Sequence, residues 1–371
     1  MTKRVKVGII GLGEVAQIIH LPILQGMSEL YEVTAICDVS EKLLHAIGNR
    51  YHIPNRYLKS KDLIADPQVD AVFVLNSDEY HTECILEAAR QGKHVFVEKP
   101  MSLTEQDVHK VIKAKDDHGI KVMVGYMRRY APAFQKALEE VRSMVKINFV
   151  RVRDIIGPNS YFIGQSTPVL RFSDIPDELR ADKEERAAVL AKDALGDLAE
   201  SYSSTYRLLC GLSSHDLSAM RNLLGMPMRV LAASRWNNGM FLSAVFEYED
   251  YHVHFETGLD QQGRFDAGIE VFGNTKTVKI DYDTPYIRHL PVQVTIQETE
   301  GDSYKETVIR PTYTDPYTVE LKHFWDALVL GTEIRTTPED SLNDVKLFRM
   351  LIQAMEKTNR ERQQLEQQPV I

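Results

Sequence analysis

VKVGIIGLGEVA, Val5 to Ala16, is the stretch that decides the fold. Its first six residues, Val5–Ile10, are almost unbroken in apolar character and read as a strand buried on both faces, the habit of a parallel sheet. Gly11-x-Gly13-x-x-Ala16 follows, and then a helical pattern over Val15–Met27, which Pro22 is expected to kink or break. In this strand–turn–helix setting each small residue has a reason. Gly11 permits the tight turn, Gly13 lets a pyrophosphate approach the backbone, and Ala16 lets the helix pack on the strand. Glu14 and Val15 open that helix, whose unpaired N–H groups and dipole favour an anion. A second strand, Val33–Cys37, ends at Asp38, about 22 residues past Ala16. A carboxylate there accepts hydrogen bonds from the adenosine ribose hydroxyls and repels the extra phosphate of NADP. The loop therefore reads as a dinucleotide site for NAD rather than NADP. A glycine turn in a flavodoxin-like domain is the competing reading.

Outward from this loop, strands and helices alternate. Ser40–Tyr51 is helical, Ala71–Leu75 a strand, Thr82–Gln91 a helix closed by Gly92, and Val95–Val97 a strand. Thr104–His118 is a helix closed by Gly119, and Val122–Val124 a strand. This is the α/β rhythm of a doubly wound parallel sheet. After Gly125 the rhythm changes. Strand-like runs at Ile147–Arg153, Arg229–Trp236, Met240–Tyr248, Tyr251–Thr257, Ala267–Gly273, Lys276–Tyr282, Val292–Glu298 and Tyr304–Arg310 are mostly joined by short turns. They indicate a mainly antiparallel sheet. Tyr317–Leu330 and Pro338–Gln364 are closing helices, and the polar tail beyond is expected to fray. The expected organisation is a Rossmann domain over 1–125 and an α+β domain with an open-faced sheet over 126–371.

The segment 158–209 has no strand character and leads directly to His215. A long segment of this kind is a candidate lid. Its polar residues Asn159, Tyr161, Gln165, Arg171 and Asp174 suit a polyol, and it is expected to contact substrate rather than cofactor.

Composition limits the function. Hydrophobic residues are 43% and charged residues 26% of 371, a globular balance. A net charge of −9 argues against a nucleic-acid binder, which needs a basic face. Three well-separated cysteines give no disulfide framework and suit a reducing, cytoplasmic setting. No apolar stretch is long enough to span a membrane. His252 and His254 share a strand face, but no third ligand stands near them, so no metal site is expected.

Further segments carry a resemblance: Asn76…His81, GKHVFVEKPMSLT at Gly92–Thr104, and GYMRRYAPAF at Gly125–Phe134. LSSHDLSAMRNLLG at Leu212–Gly225 and PYTVELKHFWDALVLG at Pro316–Gly331 complete it. Together with the glycine loop they resemble the Gfo/Idh/MocA family of glucose–fructose oxidoreductase and inositol dehydrogenase relatives. The resemblance implies that Lys99 is the catalytic lysine and His215 the catalytic histidine. On the residues alone, Lys99 reads first as a surface charge, and His215 can be read as a helix-start residue with Ser213 or Ser214 as cap. The chemistry suits the implied roles: a fixed cation stabilises a developing alkoxide, and a neutral imidazole takes a hydroxyl proton.

The resemblance further implies that Asn76, Ser77, His81, Glu98, Lys99 and Arg129 lie along the cofactor. It implies that Lys99, Arg128 and His215 lie near the substrate; Ser214 and Asp216, beside His215, and Tyr161, in the insert, are further candidates for substrate contact. One departure stands out. The family's aspartate four residues before the histidine is Gly211 here. The implied activity is NAD-dependent oxidation of a secondary hydroxyl of a cyclic polyol or sugar, by a homodimer or homotetramer built through the open sheet. Two other readings stay open: a lyase or glycosidase that oxidises transiently with a resident NAD, and a non-catalytic NAD-binding sensor.

Overall fold

The computed structural model describes residues 3–366, so the tail expected to fray lies from residue 367 onward outside the described residues. The chain forms two compact units, each assembled from separate stretches. The first comprises 3–126, Ser166–Ala199 and Tyr317–Val345; the second comprises Met127–Gln165, Glu200–Pro316 and 346–366.

The first unit is built on six strands: β1 (Val5–Ile10), β2 (Tyr31–Cys37), β3 (Asn55–Tyr57), β4 (Ala71–Val74), β5 (His94–Glu98) and β6 (Val122–Gly125). They pair in the order β3-β2-β1-β4-β5-β6, all parallel. The order reverses between β1 and β4. At that switch point the two carboxyl ends diverge and leave a crevice for a ligand. β1 and β4 are buried almost throughout, as their apolar runs require.

The helix after β1 does not break at Pro22. A π-helical stretch, Ala16–His20, runs directly into α1 (Leu21–Gly26), which carries Pro22 in its first turn. Proline has no N–H to donate and crowds the carbonyl four residues back; the wider π turn just before it relieves both problems. Between the strands lie α2 (Glu41–Arg50), α3 (Ser60–Ile64), α4 (His81–Arg90) and α5 (Glu105–His118). Ser40 caps α2 by accepting from Leu43 N, Thr104 caps α5 by accepting from Asp107 N, and Gly119 closes α5 at φ +62°.

The unit also gathers residues from far along the chain, where sequence placed everything after 125 in one domain. In α6 (Pro316–Val329), the Phe324 ring centroid lies 5.8 Å from those of Phe73 and Phe96. Tyr31 Oη donates to Leu321 O at 2.7 Å, and Trp325 Nε1 donates to Lys3 O at 3.1 Å. Phe324 is fully buried. Truncating such a ring to alanine costs about 3–5 kcal/mol, so this helix is part of the first unit's core.

The second unit holds an eight-stranded sheet. Its strands are β7 (Ile147–Ile156), β8 (Arg229–Trp236), β9 (Phe241–Glu247), β10 (His252–Leu259), β11 (Phe265–Gly273), β12 (Lys276–Tyr282), β13 (Gln293–Glu300) and β14 (Ser303–Ile309). The order is β14-β13-β12-β11-β7-β10-β9-β8, antiparallel except for β7 with β10. Alternation sorts the faces. Val150, Val152, Val253, Phe255, Ile269 and Phe246 are buried; on the sheet the helix Ser214–Leu224 lies against β7 and β11, and the helix Pro132–Arg142 against β12 and β13. The other face is more open and laced by ion pairs, Arg153 reaching Glu256 at 3.4 Å and Asp266 at 2.9 Å.

Candidate functional site

The glycine loop sits at the β1/β4 switch point. Gly11 has φ +90°, and a Cβ there would lie 2.5 Å from Asn76 N, so only glycine fits between the ends of β1 and β4. A Cβ at Gly13 would meet nothing within 4 Å, which leaves the backbone open to an incoming group. Ala16 is fully buried. Asp38 Oδ2 accepts from Leu12 N and Oδ1 from Ser40 N, both at 2.8 Å. Each oxygen keeps a lone pair for a further donor. Burial pushes the Asp38 carboxyl above its ordinary value; the Ser40 and Leu12 N–H donors oppose this, and the Asp174 charge adds to it.

These residues open on a cleft of about 930 Å³ that lies wholly within the first unit. Gly11, Gly13, Glu14, Asp38, Asn76 and Ser77 line it. An open glycine backbone at a helix start and a carboxylate with spare lone pairs fit a dinucleotide, the first for its pyrophosphate and the second for its ribose. Val15, His81, Glu98 and Lys99 stand off this wall. His81 works from behind it: its ring nitrogens lie 2.9 Å from Asn76 O and 2.8 Å from Pro100 O, tying the ends of β4 and β5 together.

The stretch 166–199 also belongs to this unit, and Val169, Leu170, Arg171, Phe172, Leu179 and Lys183 line the same cleft. It is fastened at three places. Gln17 pairs with the Leu170 backbone, Oε1 accepting from Leu170 N at 2.9 Å and Nε2 donating to Leu170 O at 3.1 Å, while Arg171 pairs with Glu14. Asp174 accepts from Ser40 Oγ at 2.5 Å and from Lys42 N at 3.0 Å. In the helix Asp177–Leu195, Asp182 accepts from Tyr80 Oη at 2.7 Å and Arg186 reaches Glu83 at 3.1 Å. The segment expected to meet substrate thus lines, over part of its length, the cleft that holds the glycine loop. Arg171 and Asp174 are engaged with the Rossmann elements, because their charges find partners in Glu14 and at the start of α2. Gln17 and Asp174 carry no motif signal as fasteners, since the partners are more than a hundred residues apart.

Lys99 follows β5 and is partly exposed. Glu98 Oε2 accepts from the Lys99 backbone N at 3.2 Å, and Glu98 Oε1 bonds the fully buried His20 Nε2 at 2.9 Å. His20 thus anchors the Glu98–Lys99 turn, a role no sequence pattern announced.

In the second unit, His215 lies in the first turn of the helix Ser214–Leu224 and is partly exposed. Neither Ser213 nor Ser214 caps it. A π-helical stretch, Leu209–Ser213, continues into the helix; Ser214 Oγ donates back to Cys210 O at 2.7 Å, and Ser213 Oγ donates to Thr257 Oγ1 at 3.3 Å. Arg128 and Asp216, expected near substrate, are buried and bound to one another, with Asp154 at 3.3 Å from Arg128. The Arg128 guanidinium lies 4.8 Å from the Tyr282 ring centroid. Burial raises the Asp216 carboxyl well above its ordinary value; Arg128 opposes this and the Asp154 charge adds to it. Arg129 is also buried, and Gln135 Nε2 donates to its carbonyl at 2.6 Å. Tyr161 is about half exposed, its ring packed edge-on to Phe162 with centroids 5.5 Å apart. A Cβ at Gly211 would meet nothing within 4 Å, so the position has room for the carboxylate it lacks. Among the described residues no cluster of His, Cys, Asp and Glu suits a metal ion, and no helix is long and apolar enough to cross a membrane.

Comparison with known proteins agrees with this picture. Residues 5–126 match the oxidoreductase family with an NAD-binding Rossmann fold, GFO_IDH_MocA. The chain is 34% identical over 138 residues to myo-inositol 2-dehydrogenase of Thermotoga maritima, covering 37% of this chain and 41% of that protein. It is 24% identical over 357 residues to inositol 2-dehydrogenase of Rhizobium meliloti, covering 91% of this chain and 93% of that protein. Aldose-aldose oxidoreductase of Caulobacter crescentus, solved with glycerol, superposes with a TM-score of 0.71 at 20% identity, over 96% of this chain and 98% of that one. The matched stretch, with its 3-2-1-4-5-6 sheet, is a Rossmann region of the Gfo/Idh/MocA oxidoreductase family, and the chain as a whole shares the fold of that solved relative.

Proposed function

We propose that the protein is an NAD-dependent oxidoreductase that converts a secondary hydroxyl of a cyclic polyol or sugar into a ketone. One observation carries the cofactor reading: the bare backbone at Gly13 and the Asp38 carboxylate line one cleft at the β1/β4 switch point. The inositol dehydrogenases among the relatives support the substrate class. Gly11, Gly13, Glu14, Asp38, Asn76 and Ser77 hold the dinucleotide, with His81 and Glu98 as supports. Bound there, the nicotinamide supplies a hydride acceptor.

The chain's own side chains do the rest. His215 takes the hydroxyl proton as the carbinol C–H bond breaks. Lys99 stabilises the negative charge that develops on the oxygen. Glu98, held by His20, fixes the turn from which Lys99 projects. We assign Arg128 and Asp216 to positioning, because each is already engaged in the buried cluster with Asp154. Tyr161 remains a candidate for substrate contact, whereas Ser214 is fully buried and its hydroxyl is engaged with Cys210 O. The second unit's open sheet face is the proposed homo-oligomer contact, and the proposed setting is the cytoplasm.

The test is NADH formation across a panel of inositols, hexoses and glycosides. The proposal expects turnover with at least one cyclic polyol; NAD binding without turnover on any of them would leave a sensor instead.

A further inference from the structure

A carboxylate from far along the chain, Asp174, is bonded at the start of the helix that follows Asp38. In a Rossmann unit the acid at the end of the second strand meets the adenosine ribose, and a 2′-phosphate lies just beyond it. The N–H groups at the start of the next helix are the natural receptors for that phosphate. Here α2 has ten residues, and three of the N–H donors at its opening are taken. Ser40 N donates to Asp38, Lys42 N donates to Asp174, and Leu43 N donates to Ser40 Oγ. Ser40 Oγ in turn donates to Asp174 Oδ1, so one serine bridges the two carboxylates. These donors hold the Asp174 carboxyl below its ordinary value, first through Ser40 and then through Lys42 N.

We propose that Asp174, delivered from the distant stretch 166–199, occupies the 2′-phosphate position and makes that stretch a reader of the cofactor's ribose. NAD passes because its 2′-hydroxyl donates to Asp38. NADP is refused because its phosphate meets two carboxylates and finds the N–H donors of Ser40, Lys42 and Leu43 already engaged. The refusal is local and does not come from the net charge of the cleft, since Lys59, Lys61, Arg180 and Lys183 also line it. Those cations are also why removal of one carboxylate is expected to admit the phosphate.

This inference rests on the cofactor reading above, and the experiment separates the two. NADH and NADPH are each titrated by nicotinamide fluorescence into the native protein, Asp174→Asn, Asp174→Lys and Asp174→Glu, with no substrate present. The expected result is native preference for NADH, a shift of the NADPH/NADH affinity ratio by about tenfold or more toward NADPH in Asp174→Asn, and a larger shift in Asp174→Lys. Asp174→Glu should keep the native ratio. Equal loss of both affinities in Asp174→Asn would make Asp174 a fastener only and overturn the inference while leaving the cofactor reading intact. An unchanged ratio in both Asp174→Asn and Asp174→Lys would overturn it likewise. Failure of the native protein to bind either dinucleotide would overturn the cofactor reading and this inference with it.

Discussion

The two loop glycines should fail in opposite ways when given side chains. Gly11→Ala places a Cβ 2.5 Å from Asn76 N, 2.6 Å from Asn76 Cα and 2.8 Å from the Leu75 carbonyl carbon, all backbone atoms that cannot swing aside. It also forces alanine to φ +90°. Overpacking of this kind costs about 1–3 kcal/mol, and a strained backbone region about 1–3 kcal/mol more. The sum is about 2–6 kcal/mol, enough to lower Tm by roughly 4–24 °C for a unit of this size. Gly13→Val meets nothing within 4 Å of its Cβ and lies outside the positive-φ region, so the unliganded protein should melt within a degree or two of native. Its defect is in binding: the added side chain stands where the pyrophosphate approaches, and NADH affinity should fall by about tenfold or more, or at least 1.4 kcal/mol. Thermal denaturation without ligand and fluorescence titration with NADH read the two effects separately. If Gly13→Val melts as early as Gly11→Ala, or binds NADH as native does, the placement of the phosphate is wrong.

Lys99→Ala and His215→Ala should each lower turnover on the best substrate by about a hundredfold while NADH still binds; near-native turnover in either removes that residue's role. Arg128→Met leaves Asp216 and Asp154 buried without their cation and should cost about 3–5 kcal/mol in denaturation. Because burial raises the folded-state Asp216 carboxyl above its unfolded value, its contribution is fully present below about pH 4 and is lost as pH rises. Arg128 is the influence that holds the Asp216 carboxyl down, so in Arg128→Met that carboxyl rises further and the Tm gap to native should widen once pH passes the native folded-state value; a gap that narrows as pH rises would contradict the buried-charge account. Light scattering at micromolar concentration should report a dimer or tetramer, and a clean monomer would leave the open sheet face without its proposed contact.

Much of the fold was legible because its signals are local. β1 was bounded to the residue by the apolar run and Gly11, and β8 and β12 by alternation between turns. β3 and α3 went unread because three and five residues carry too little periodicity. Pro22 misled, since proline's cost in a helix depends on whether a π turn precedes it. The site was legible where it rests on backbone chemistry, at Gly11, Gly13 and Asp38. It was not legible where it rests on long-range pairing. Arg128 and Asp216 resembled ligand-facing charges, but each pairs with the other across 88 positions of sequence. The stretch 166–199 lacked strands and sat before His215, which suggested a substrate lid. Its actual docking depends on Gln17, Ser40, Tyr80 and Glu83, and nothing in their spacing links them to it.

The central claim is hydride transfer from a carbinol carbon of a cyclic polyol to NAD, and isotopic labelling reads it directly. The best substrate from the panel, deuterated at the carbon that becomes the ketone, is incubated with the protein and NAD, and the nicotinamide product is weighed by mass spectrometry. The account predicts NADH carrying one deuterium, formed in step with the ketone. Unlabelled NADH, or ketone formed without reduction of NAD, would contradict it.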